Sequence, residues 1–152
     1  NSMEAEKYAK RYGVTLEGDI IARDKKEYLI TEELQEAVKD IPLEPFSIGL
    51  PLGEVTAKGF RPSFALLDML KESKNRIIIS DDAEFLFTCG RDAFMDKVVH
   101  EGELQEQFLV TNRKGEVLGL GRKEQDGKKQ VIKNLMDRGD FLHREDRRKK
   151  RR

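Results

Sequence analysis

Arg76-Ile77-Ile78-Ile79-Ser80-Asp81-Asp82-Ala83-Glu84-Phe85-Leu86-Phe87-Thr88-Cys89-Gly90-Arg91-Asp92-Ala93 is the stretch on which the fold turns. Three successive isoleucines are stiff at χ1 and suit an extended strand. The next residues change character. Ser80, Asp81 or Asp82 offers a side-chain oxygen to the free N–H groups of a short helix over Ala83 to Thr88. Gly90 stops that helix. Beyond it, Met95 to His100 and Glu106 to Thr111 read as strands. Asn112-Arg113-Lys114-Gly115 stands between FLVT and EVLGLGR, which predicts a hairpin. Val131 to Leu135 reads as a further strand and Asp140 to Arg144 as a short terminal helix. A strand, one capped helix and several short strands predict a small mixed β-barrel.

Working outward, the N-terminal part is also mixed. Met3 to Tyr12 carries charges and alanines at helical spacing, with Gly13 as a stop. Asp19 to Ile30 reads as two strands, IIAR and EYLI, about a charged turn at Asp24-Lys25-Lys26. Thr31 caps a helix over TEELQEAVKD, with Leu34 and Val38 on one face. Pro42 and Pro45 end that region. Pro45 to Phe60 holds two strand-like pieces punctuated by Gly49, Pro51, Gly53 and Gly59. Arg61 to Ser73 predicts a helix with Pro62 in its first turn and Phe64, Leu67 and Leu70 on one face. Lys74-Asn75 is the expected junction. The spacing of Phe46, Phe60 and Phe64 makes them mostly core, with one as a candidate protein contact.

Charge is the second clue. The 152 residues hold 29 Lys/Arg and 29 Asp/Glu, a net charge of zero. The zero is a cancellation. Residues 1–75 carry 11 Lys/Arg against 14 Asp/Glu, whereas residues 122–152 carry 13 against 6. A basic end on an acidic body points to an anionic partner there. Cys89 is the only cysteine, so the chain has no internal disulfide and no Cys-based zinc site, and a reducing compartment fits. No run of about 18 apolar residues occurs, and no signal peptide is recognised; a cytoplasmic protein is expected. Asn1-Ser2 before Met3 read as an appendage to a native start at or upstream of Met3.

The run Ile77 to Ala83, then Phe85-Leu86-Phe87, Gly90-Arg91-Asp92-Ala93 and the hairpin closing on Glu116 to Gly121, resembles the PUA domain. That domain is named for pseudouridine synthases and archaeosine transglycosylases. The wider order, PFSIGLPLG, FRPSFALLDML, EFLFTCGRDA, VLGLG and VIKNLMDRGDFL, is similar to the Nip-seven type of ribosome-biogenesis protein, in particular its archaeal branch. The similarity covers about residues 42–143. It implies an α+β chain, with a small N-terminal α/β (pre-PUA) module at 3–74 and a PUA domain at 75–143; the basic tail at 144–152 is not expected of every member. It implies RNA binding through the PUA module, a role in maturing large-subunit ribosomal RNA precursors, and no catalytic activity. The N-terminal region is shorter than is usual for the family. Lys128, Lys129 and Lys133 match the family's basic positions around VIKNL; Gln130 and Met136 stand where bases are the expected type, and Arg138 restores a charge two residues on.

The candidate RNA-binding residues are therefore Arg122, Lys123, Lys128, Lys129, Lys133, Arg138 and Arg91. Lysines neutralise phosphates and release counterions, and arginines do so bidentately. Taken without the resemblance, the six late cations also fit an ordinary solvated strand face. Arg91, in the loop after the helix, fits either close contact with nucleic acid or a surface ion pair beside a helix stop. The tail, REDRRKKRR, has seven basic residues and no apolar one, so it predicts a largely unstructured arm able to bind polyanions. His100 and His143 lack zinc-site neighbours. Cys89 is expected to pack as a small hydrophobe. Asp81-Asp82 fits a helix cap better than a catalytic pair. Gly119-Leu120-Gly121 is too short for a dinucleotide fingerprint and no Walker A sequence occurs, so neither an enzyme nor a cofactor is expected. The expected partners are RNA and, through the N-terminal module, a protein. Two alternatives stand beside this: the targeting subunit of an RNA-modifying enzyme, and a scaffold whose tail binds an acidic protein.

Overall fold

The computed structural model describes residues 3–139. The expected helix at Asp140 to Arg144, the tail at 144–152 and His143 lie outside them. The chain divides after Leu70 into two compact units, four residues before the junction expected from sequence.

The N-terminal unit is an antiparallel meander of β1 (Asp19–Arg23), β2 (Lys26–Ile30), β3 (Leu50–Thr56) and β4 (Gly59–Pro62), in that spatial order. Asp24 and Lys25 make the tight β1–β2 turn with φ of 53° and 68°, the left-handed geometry that two-residue hairpin loops need. Helices α1 (Glu4–Arg11) and α4 (Phe64–Met69) pack against β3. They bury Ala5, Tyr8 and Ala9, and Leu66 and Leu67, over Leu29, Ile30 and Leu52 of the sheet. Helix α2 (Glu32–Ala37) is capped as expected, with Thr31 Oγ1 accepting from Leu34 N at 3.1 Å, but it buries no residue. Two expectations change. The first strand-like piece after Pro45 is a single helical turn, α3 (Pro45–Ile48), because Pro45 occupies the first turn where its missing N–H costs nothing. Pro62 ends β4 instead of starting a helix, and Ser63 caps α4, its Oγ accepting from Leu66 N.

The C-terminal unit holds β5 (Arg76–Ile79), α5 (Asp81–Thr88), β6 (Ala93–Phe94), a 3-10 turn (Met95–Lys97), β7 (Val98–Glu101), β8 (Phe108–Thr111), β9 (Val117–Asp126) and β10 (Lys129–Asp137). Its sheet order is β6-β10-β9-β8-β5-β7, with β5 and β8 parallel and the other neighbours antiparallel. Met95 to Lys97, expected as the start of a strand, forms the 3-10 turn, and the strand begins at Val98.

The core of this unit gathers Ile77 and Ile79, Ala83 and Phe87 of α5, Ala93, Phe108, Val110, Leu118 and Ile132, with Val98 packed beside them. Every strand of the sheet contributes, so the sheet curls around its own core. One ion pair measures the curl. Lys123 Nζ on β9 lies 2.5 Å from Glu101 Oε1 on β7. Those strands are three places apart, roughly 14 Å in a flat sheet.

The hairpin expected at 112–115 forms as read. Asn112 Oδ1 accepts from Lys114 N and Glu116 N, and Gly115 takes φ of 83°. The next hairpin, β9–β10, runs further than expected, to Asp126 and Lys129. Gly119 allows it: a Cβ there would run into the Met136 carbonyl of the neighbouring strand. A bulge between Asn134 and Met136 leaves Leu135 without a cross-strand partner.

Candidate nucleic-acid interface

In a strand, residues i and i+2 share a face, and directly paired residues on neighbouring strands share it too. The register pairs Lys133 with Arg122, Val131 with Glu124 and with Phe94, and Lys129 with Asp126. One face of the β6–β10–β9 ribbon therefore displays Phe94, Lys129, Val131, Lys133, Arg122, Glu124 and Asp126. Ile132 pairs with Ala93 and Lys123. Ile132 and Ala93 are core residues, so that second face is the inner one.

This separates the expected cations. Arg122, Lys129 and Lys133 come together on the outer face. Lys123 projects on the opposite side, where Glu101 holds it. Lys128 lies exposed in the two-residue turn at the hairpin tip. Arg138 follows β10, and its Nε donates to the Val117 carbonyl at 2.9 Å. The six cations thus do not form one stripe.

Carboxylates temper the outer face. Asp92 Oδ2 lies 3.8 Å from Lys133 Nζ, and Glu124 Oε2 lies 3.6 Å from Arg122 Nη2. Both pairs are long and about half exposed, so each contributes at most about 1 kcal/mol. Neither holds its cation against a phosphate, which binds arginine and lysine by charge-assisted contacts.

The Gly90-Arg91-Asp92 loop is held beside this face by Asn134. Asn134 Nδ2 donates to the Phe87 carbonyl at 2.8 Å and to the Arg91 carbonyl at 3.3 Å, while Asn134 N donates to Asp92 Oδ1 at 2.9 Å. Arg91 is exposed. The loop is therefore fixed at its backbone while the guanidinium reaches outward.

An aromatic residue overlooked in the sequence reading completes the surface. Phe94 is 53% exposed although it lies in a strand, and Lys129 Nζ stands 5.6 Å from its ring centroid. The signal was available: Ala93 and Phe94 are adjacent in a strand, so a core Ala93 sends Phe94 outward. The phenylalanines considered as contacts are less exposed. Phe60 meets Tyr8 and Phe46 meets Tyr28, each edge-to-face at 5.6 Å. Cys89 corrects another expectation, being exposed. Helix α5 buries Ala83 and Phe87, four apart, and Cys89 falls two positions beyond that face.

Among the described residues no cluster of His, Cys, Asp and Glu is arranged to hold a metal ion. Among the same residues no helix is long and apolar enough to cross a membrane.

A mixed α+β chain with a curled sheet capped by one helix in its second half is the architecture of a PUA-domain protein. A conserved PUA domain protein from Thermoplasma acidophilum superposes with a TM-score of 0.58, covering 92% of this chain and 90% of that one, at 21% identity. Residues 75–146 match the family model described as the UPF0113 PUA domain. A UPF0113 protein of Aeropyrum pernix is 32% identical over 124 residues, spanning 79% of this chain and 70% of that protein. A UPF0113 protein of Archaeoglobus fulgidus is 34% identical over 113 residues, spanning 66% of this chain and 63% of that protein. The chain belongs to the UPF0113 family. It spans a little less than two thirds of the Archaeoglobus relative. The PUA domain implies RNA binding in general.

Proposed function

We propose that this chain is a non-catalytic RNA-binding factor in large-subunit ribosomal RNA maturation, gripping its RNA on the outer face of β9 and β10. The observation that carries the site is the register that puts Arg122, Lys129 and Lys133 on one face. Lys128 at the tip and Arg91 in the clamped loop flank it. Ribosomal RNA as the target rests on the likeness to the Nip-seven type of protein. A protein partner for the acidic N-terminal unit belongs to the same reading, as does action in the cytoplasm.

The test is a salt titration of RNA binding. Arg122→Ala, Lys129→Ala and Lys133→Ala together remove three phosphate contacts, which flattens the slope of log K against log salt by about two for a single strand. Lys123→Ala serves as the control, since its ammonium lies on the opposite face. Equal loss from Lys123→Ala alone, or unchanged binding by the triple variant at physiological salt, sinks the site. Crosslinking in cells identifies the RNA. Recovery of transfer RNA with a modifying enzyme, in place of ribosomal precursors, overturns the proposed role.

A further inference from the structure

Resting on that reading of the site, we infer that its ligand is RNA with an unpaired nucleotide, whose base stacks on Phe94 while Lys129 and Lys133 hold the flanking phosphates. Phe94 is on an edge strand of two residues, paired on one side with β10. More than half of it faces solvent although it is large and apolar. Its direct partner across the strand pair, Val131, is apolar but buried, and the exposed residues beside that partner on this face are cations. Lys129 and Lys133 lie two residues either side of Val131, which is 4% exposed. An exposed ring framed by cations is poorly suited to an apolar protein surface. It suits a nucleotide, which brings a π face and a negative charge together.

The surface charge supports the same ligand. The outer face, with the turn and loop that flank it, carries Arg91, Arg122, Lys128, Lys129 and Lys133 against three carboxylates, Asp92, Glu124 and Asp126. This excess is small for a site that reads duplex backbone alone. A stacking contact makes up the difference, because it adds affinity without adding charge. Lys129 already stands over the ring. An exposed cation–π contact is weaker than a stacked base, so the base displaces the ammonium, which then turns to the adjacent phosphate. Duplex RNA keeps its bases stacked and offers no free face. The site should therefore discriminate between single strands and duplexes with equal numbers of phosphates.

The experiment compares an adenine-rich single-stranded RNA dodecamer with a blunt RNA duplex matched in phosphate number, at one salt concentration. Phe94→Ala should weaken binding of the single strand by roughly tenfold, leaving its salt slope and the duplex affinity unchanged. The chain contains no tryptophan, so Phe94→Trp introduces a lone reporter. Its fluorescence should be quenched by the single strand and not by the duplex, with affinity retained. Wild-type affinity in Phe94→Ala, or no quenching in Phe94→Trp, overturns the stacking inference. If the cation triple variant still loses binding in that case, the RNA-binding face survives. Equal losses of single strand and duplex in Phe94→Ala also overturn it. Should Phe94→Ala melt well below the wild type, Phe94→Trp decides alone. No binding of either RNA by the wild type overturns both readings.

Discussion

Two helices, one in each unit, each have one end tied by a side chain from a strand, and the tied ends are opposite ones. In the N-terminal unit, Glu27 of β2 reaches the start of α1, where its carboxylate accepts from Glu4 N at 3.2 Å and Ala5 N at 2.9 Å. In the C-terminal unit, Asn134 of β10 reaches the end of α5 and donates to the Phe87 and Arg91 carbonyls. The chemistry follows the helix. An N-terminus presents free N–H groups and partial positive charge, which an anionic acceptor satisfies. A C-terminus presents free carbonyls, which an amide donor satisfies. The difference lies in burial. Glu27 is 4% exposed, while Asn134 is only half-buried beside the proposed RNA face. The first clamp stabilises a core; the second also sets a loop that carries Arg91.

The largest effect is expected at Glu27. Met3 at the N-cap of α1 makes no side-chain capping bond, so nothing local replaces the carboxylate. Glu27→Ala leaves two N–H groups without their acceptor, the Ala5 one buried, and should cost about 2–4 kcal/mol. Urea unfolding, followed by a probe in the N-terminal unit, measures it. Glu27→Gln keeps an acceptor oxygen without the charge and should recover part of the loss. A loss below about 0.5 kcal/mol for the alanine variant, the scale of an ordinary surface change, would show that α1 is held by packing alone.

Asn134 comes next. Asn134→Ala removes the donor from two carbonyls and should cost about 1–3 kcal/mol. Asn134→Asp should be at least as damaging, because a carboxylate cannot donate to either carbonyl. The comparison predicts a second consequence that Glu27 lacks. Amide hydrogen exchange should quicken at Arg91 and Asp92, and RNA affinity should fall along with stability. Stability lost with exchange and affinity unchanged would make this clamp as purely structural as the first.

Distance along the chain explains what could be read in advance. Thr31 caps Leu34, and Asn112 organises Lys114 and Glu116. Those partners lie two to four residues away, and residue type alone forecasts them. Glu27 acts 22 and 23 residues away and Asn134 acts 47 away; neither has a local signature. The site divides in the same manner. The cations were recognisable by type, but their grouping by face depended on strand parity. Arg122 and Lys123 are neighbours in sequence and opposites in space. The outward turn of Phe94 follows from its neighbour Ala93, but its place beside Lys129 and Lys133 depended on β6 adding to β10, a long-range pairing without a local signature.

The smallest effect is expected at the other end of α5, where a third clamp is exposed. Asp82 Oδ2 lies 2.5 Å from Lys97 Nζ, and Asp82 Oδ1 accepts from Ser80 Oγ. The Lys97 hydrogen bond first, and the Ser80 bond second, lower the Asp82 carboxyl from its ordinary 3.8 to about 2. A carboxyl held lower in the folded state than in the unfolded state stabilises the fold above the ordinary value. That contribution is lost as pH falls from about 3.8 toward about 2, and it is constant at neutral pH. Carbon-13 NMR should show Asp82 titrating near 2. Lys97→Met should move it back toward 3.8, but not fully, because Ser80 still donates. The same variant should leave the melting temperature at pH 7 nearly unchanged, since solvent screens so exposed a pair. A melting shift as large as that of Asn134→Ala would break the ranking, showing that exposure does not decide what these clamps contribute.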